Sequence, residues 1–150
     1  MNPDFEDFLR ALLDAEVRFM VVGAHALAVH GIPRATGDID VWIEASAENA
    51  ERVWSALTAF GAPMESIGIE RDDLATADNV VQIGLPPRRI DLLTGLSGLI
   101  FDEAWTDRIF HETGSLRIPF ISRAALIVNK RETGRLKDRA DLEALGEPPT

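Results

Sequence analysis

A single α/β domain with a mixed β-sheet and flanking helices is the fold class this sequence predicts, on three observations. Short β-branched and apolar runs alternate along the chain with segments whose apolar residues recur at helical spacing. Two neighbouring strand-like runs, Asn79–Gly84 and Arg88–Leu93, are separated only by Leu85-Pro86-Pro87 and read as a hairpin, so the sheet is not purely parallel. The 150 residues, 46% of them hydrophobic, suffice for one core and are too short for two, and no repeat, linker or low-complexity tract divides them.

The elements follow in order. Asn2-Pro3 starts a helix whose Phe5, Phe8, Leu9, Leu12 and Leu13 form one apolar stripe up to about Ala15. Val17–Val22 reads as a strand, and Gly23–His30 switches to strong helix formers before Gly31 and Pro33 end it. Asp38–Glu44 is the next strand; Ser46 then caps a helix through Ala50, Val53, Trp54, Leu57 and Phe60 that Gly61 closes. Ser66–Ile69 reads as a short strand, followed by the hairpin. Phe101–Thr106 reads as a helical turn, and Arg108–His111 and Leu116–Ile118 as short edge strands. Ser122 caps a helix carrying Ala125, Leu126, Val128 and Lys130 that Gly134 breaks. A last helix spans Lys137–Leu145, and 146–150 is a frayed tail.

Composition excludes several classes. Without cysteine there is no disulfide, thiolate zinc site or cysteine nucleophile. The acidic N-terminus lacks the basic and apolar regions of a secretory signal, and no apolar run is long enough to span a membrane, so the sequence reads as soluble and cytoplasmic. A net charge of -10 argues against gripping nucleic acid over a broad face. The charge is uneven, however. Arg117, Arg123, Lys130, Arg131, Arg135, Lys137 and Arg139 cluster late in the chain, where either a phosphate-binding face or a solvated basic helix face fits.

The chemistry-bearing stretch is Arg34-Ala-Thr36-Gly-Asp38-Ile-Asp40-Val-Trp-Ile. Side chains at i and i+2 of a strand share a face, so Asp38 and Asp40 can converge on a hard divalent cation such as Mg²⁺ or Mn²⁺, unless they merely cap the strand end. Asp91 lies mid-strand among apolar residues, where an ionised carboxylate is costly without a cation or donor. Gly23 turns a strand into a helix, a place where backbone N–H groups can hold phosphate. Carboxylates from neighbouring strands can hold ions that activate a hydroxyl and stabilise a leaving pyrophosphate.

This order of motifs resembles the polymerase-β-like nucleotidyltransferase superfamily, in Gly23-Ala24, Asp38-Ile39-Asp40 and Ile90-Asp91-Leu92. It is more similar still to AbiEii-type toxin nucleotidyltransferases and related small bacterial proteins, through Gly23-Ala-His-Ala-Leu27, Arg34-Ala-Thr36-Gly-Asp38-Ile-Asp40, Lys130, Gly134-Arg135 and Lys137-Asp138-Arg-Ala-Asp141. The likeness runs from about Val21 to Leu142. It implies a nucleotidyltransferase fold and transfer of a nucleoside monophosphate from NTP to a hydroxyl of RNA (tRNA included), a protein or a small molecule. A partner protein from a toxin–antitoxin pair is also implied. By the same resemblance Asp38, Asp40 and Asp91 hold Mg²⁺ or Mn²⁺, Asp91 helping to deprotonate the hydroxyl. Gly23 and Ala24 bind the triphosphate through backbone N–H groups, Arg34 and Thr36 steady the loop or a phosphate, and Lys130 contacts phosphate. Ala24 stands where those families carry a second Gly or Ser, keeping the N–H and losing either backbone latitude or a hydroxyl donor. That departure admits a second reading, a degenerate nucleotidyltransferase fold acting as a binding or antitoxin-like partner. A sugar-nucleotide glycosyltransferase is disfavoured by the short chain and the separate Asp91.

Other residues read as structural. His25 and His30 do not form a clean ligand pair, and His111 is isolated. Trp42, Trp54 and Trp105 read as core or edge residues, and Gly95-Leu-Ser-Gly98 as a turn.

Overall fold

The computed structural model describes residues 1–34, 36–85 and 88–150; the Pro86-Pro87 part of the expected hairpin turn lies outside the described residues, as does Ala35. Six strands, β1 (Phe19–Val22), β2 (Ile39–Ile43), β3 (Val80–Ile83), β4 (Ile90–Leu93), β5 (Ile109–Thr113) and β6 (Leu116–Phe120), form one mixed sheet in the order β3-β4-β2-β1-β6-β5. Around it lie α1 (Pro3–Asp14), α2 (Gly23–Val29), α3 (Ala47–Phe60), α4 (Met64–Ile67), α5 (Arg71–Ala75), α6 (Phe101–Thr106), α7 (Arg123–Thr133) and α8 (Leu136–Ala144).

The capping chemistry works as the sequence suggests. The Asn2 side chain accepts from the Asp4 N–H, Ser46 from Asn49 and Ser122 from Ala125. Gly61 and Gly134 close α3 and α7 in the left-handed conformation. β1 is buried at all four positions, and α1 packs against α3 with Phe8 and Phe60 meeting edge to face at 5.3 Å.

Three expectations are corrected. Ser66–Ile69 is not a strand: Met64–Ile67 makes one helical turn that Gly68 ends at φ 74°. The segment from Leu116 is not an edge strand, because β6 runs on to Phe120 and sits between β1 and β5; Ile118 and Phe120 are fully buried. The tail is not frayed throughout, since the Glu147 N–H donates to the Leu142 carbonyl and its carboxylate pairs with Arg123 and Arg131. α5, which Glu70 and Asp73 open with a reciprocal capping box, carried no apolar period to announce it. Among the described residues no helix is long and apolar enough to cross a membrane.

Candidate active site

Register positions the acids. β1 and β2 are antiparallel with Val22 opposite Asp40, and β2 and β4 are parallel with Asp40 opposite Asp91. Paired residues share a sheet face, so Val22, Asp40 and Asp91 stand side by side, with Asp38 just before β2. They line a cleft of about 550 Å³ together with Gly23, Ala24, Arg34, Thr36 and Lys130, so every site residue named from the sequence is on its wall. A larger hollow of about 860 Å³, between α1 and α3, contains none of them.

Arg89 ties the acids together. Its Nε and Nη2 donate to the two Asp91 oxygens at 2.7 and 3.2 Å, its Nη2 lies 3.6 Å from Asp38 Oδ2, and its backbone N–H donates to Asp38 Oδ1 at 2.9 Å. The pairing with Asp91 holds the guanidinium still more firmly protonated than usual. Asp40 has no such partner. Burial, then the neighbouring Asp91 and Asp38 charges, push its pKa from 3.8 up to about 6.

Gly23 must be glycine here. Its φ is 67°, and a Cβ at this position would lie 2.2 Å from Asp40 Oδ2, so the backbone turn and the carboxylate occupy adjoining space. Thr36 holds the approach to β2, its hydroxyl accepting from the Asp38 N–H at 3.2 Å.

Such a donor set, hard carboxylate oxygens beside a raised-pKa aspartate, fits a divalent cation chemically. Among the described residues no three His, Asp or Glu side chains are already arranged as a cage, and the Arg89 guanidinium supplies the compensating charge.

The wall from α7 and α8 is an ionic cluster. Lys130 is only 7% exposed and its ammonium lies 3.3 Å from Asp138 and 2.9 Å from Asp141. Burial lowers the Lys130 pKa, and Asp138 opposes that shift. Asp138 is fully buried, which by itself would raise its pKa, yet hydrogen bonds from Arg135 and Thr133 and the Lys130 charge hold it well below the ordinary carboxylate range. Arg34, from the loop before β2, pairs with Asp141, linking the acid loop to α8. Lys130 is therefore placed on the cleft wall with its charge shared between two aspartates. Arg135 and Lys137 line the same cleft.

Sequence reasoning passed over Arg89, although period-two alternation sets residue 89 on the face of Asp91. The discounted histidines have structural contacts. His25 stacks edge-on with Phe5, His30 Nε2 bonds the Ile121 carbonyl at 2.9 Å, and His111 meets Phe120 edge to face. Trp42 is buried, while Trp105 is flanked by Arg108 at 3.8 Å and Arg18 at 5.0 Å. Leu96 and Leu99 bridge across the expected turn.

No protein-family model matches the chain. No curated protein matches it either. Among solved structures it is similar to a Thermotoga maritima protein named provisionally as a nucleotidyltransferase, with 17% identity, a TM-score of 0.59, and 96% of this chain and 93% of that chain covered. At that identity the likeness is one of fold: the chain has a nucleotidyltransferase-like α/β fold with a six-stranded mixed sheet.

Proposed function

We propose that this chain is a metal-dependent nucleotidyltransferase that moves a nucleoside monophosphate from NTP to a hydroxyl acceptor. The observation that carries the reading is the gathering of Asp38, Asp40 and Asp91, from two neighbouring strands, in one cleft beside the Gly23 turn. The nucleotidyltransferase-like fold supports it.

In this reading Asp38, Asp40 and Asp91 would hold Mg²⁺ or Mn²⁺, which when bound supplies charge neutralisation of the triphosphate and activation of the hydroxyl. Arg89 would have to release Asp91 for that, and the freed guanidinium, which lines the same cleft, would be available to pair with a triphosphate bound there. Gly23 and Ala24 offer backbone N–H groups to the phosphates, and Arg135 and Lys137 add charge from the opposite wall. The acceptor oxygen attacks the α-phosphorus, the bond to the pyrophosphate oxygen breaks, and the hydroxyl proton passes to the Asp40–Asp91 pair. Lys130 and Arg34 act from behind, fixing α7, α8 and the acid loop through Asp138 and Asp141.

The acceptor class stays open among RNA, protein and small molecule. The AbiEii-like motifs support a place in a toxin–antitoxin pair. A second reading, a catalytically silent fold acting as a binding or antitoxin-like partner, is favoured by Ala24 and by the Arg89–Asp91 pairing. Incubation with α-labelled and γ-labelled NTPs, total RNA and cell lysate separates the two. Label carried over from the α position alone supports transfer, whereas Mg-NTP binding with no transfer to any acceptor fraction supports the silent partner.

A further inference from the structure

β3 stands at one end of the sheet order. Among the described residues β3 pairs only with β4. The Thr94 N–H donates to the Asn79 carbonyl at 2.9 Å, and because ladder groups alternate along an antiparallel pair, Val81 and Ile83 turn theirs towards β4 while Val80 and Gln82 turn theirs outward. Two outward residues present two N–H donors and two carbonyl acceptors. Apart from its shortness, four residues, the edge carries none of the usual blunting devices: Val80-Val-Gln-Ile83 contains no Lys and no Pro, and its register with β4 runs without a bulge.

Side-chain features run along the same edge. A groove of about 280 Å³ is lined by Ile67, Gly68, Ile69, Asp73, Val80 and Gln82, among others. A second hollow of about 460 Å³ shares Gly68 and Ile69 with it and extends to Trp54, Glu65 and Glu70. Val80 is 57% exposed and Ile67 39%. The charged residues lining both hollows are all acidic: Glu65, Glu70 and Asp73. The opposite edge differs, because the exposed Phe110 of β5 already lies under Arg117 at 3.8 Å.

We propose that the β3 edge binds an extended, basic segment of another polypeptide, added as a further strand with alternate apolar side chains in the groove and lysines or arginines against Glu65, Glu70 and Asp73. Main-chain hydrogen bonds to Val80 and Gln82 would give affinity, and the grooves specificity. A second copy of this chain fits poorly. Two-fold pairing of β3 with itself would bring the same acids together in a molecule of net charge -10. The inference stands apart from the proposed chemistry, since it needs no nucleotide.

The test uses the full chain and a fluorescein-labelled peptide of about ten residues, alternating Val with Lys and Thr, read by fluorescence anisotropy. Saturable binding is expected at micromolar concentrations, at least about tenfold weaker for a peptide with Glu in place of Lys and for one N-methylated along the docking edge. Gln82→Pro removes one outward N–H without touching the β4 ladder and should weaken binding similarly; Glu65→Lys should reduce the preference for the Lys peptide. The N-methylated peptide tests the same hydrogen bonds if Gln82→Pro does not fold. No saturation by about 1 mM, or indifference to N-methylation, overturns the proposal. So does sedimentation showing a dimer that Gln82→Pro dissolves, which would make the occupant a second copy.

Discussion

Asp40 and Asp91 stand directly opposite one another on parallel strands, yet of the two only Asp91 is paired with a cation among the described residues, Arg89 holding both of its oxygens while Asp40 faces that pair. This asymmetry sets one carboxylate of the site against a guanidinium and leaves the other to retain its proton to higher pH than an ordinary aspartate.

The split has a signature in stability. Folding raises the Asp40 pKa from 3.8 to about 6, so between those values the folded chain binds more protons than the unfolded one and stability falls as pH rises. Asp40→Asn removes the penalty. Thermal melts are expected to coincide for the two proteins near pH 3, to diverge between about pH 4 and pH 6, and to stay apart above pH 6, the variant being more stable there by up to about 3 kcal/mol. A variant less stable than wild type at pH 8 would show that Asp40 is compensated there.

Divalent cations should relieve the same repulsion. Mg²⁺ or Mn²⁺ is expected to raise the melting temperature of the wild type, to do so less in Asp40→Asn, and to act at lower concentration in Arg89→Ala, where the competing guanidinium is gone. Equal shifts in all three would place the ion elsewhere.

Gly23→Ala combines a positive φ with a Cβ set against Asp40 Oδ2. The expected cost is about 2–4 kcal/mol from backbone strain and overpacking together, measured by urea denaturation, with loss of nucleotide binding in the protein that remains folded. Retained binding with unchanged stability would mean the turn and the carboxylate move apart freely.

Lys130 and Asp138 should behave as a stability pair. Asp138→Ala takes away one of the two aspartates around the buried ammonium, leaving Asp141 at 2.9 Å, and unties Arg135 and Thr133, with an expected cost of about 1–3 kcal/mol, whereas Lys130→Met keeps the stem packed and leaves Asp138 bonded to Arg135 and Thr133, costing less. Isothermal titration with a non-hydrolysable NTP separates this from phosphate contact. Lys137→Ala is expected to weaken NTP binding more than Lys130→Met does.

The fold was legible where local chemistry is strong. The Asn2, Ser46 and Ser122 caps, the Gly61 and Gly134 stops and the hairpin around Leu85 set most boundaries. The failures were local ambiguities: Ser66–Ile69 is too short to separate strand from helical turn, and the interior place of β6 depends on its parallel pairing with β1, a long-range contact with no local marker. For the site, period-two logic named Asp38, Asp40 and Asp91, but it could not show that Arg89 would turn onto the acids. Nor could it show that Lys130 would be buried between Asp138 and Asp141, because both depend on where neighbouring elements pack.

The central claim is that these three acids run transfer of a nucleoside monophosphate. The direct measurement is the rate at which α-labelled NTP, with Mg²⁺ or Mn²⁺, labels an acceptor from RNA, lysate protein or small-molecule fractions, for wild type and for folded Asp40→Asn. The expected result is label from the α position only, with the rate in Asp40→Asn lower by at least about a hundredfold, the scale of losing a positioned acid–base group. Transfer from the γ position, or an Asp40→Asn rate equal to wild type, would contradict it.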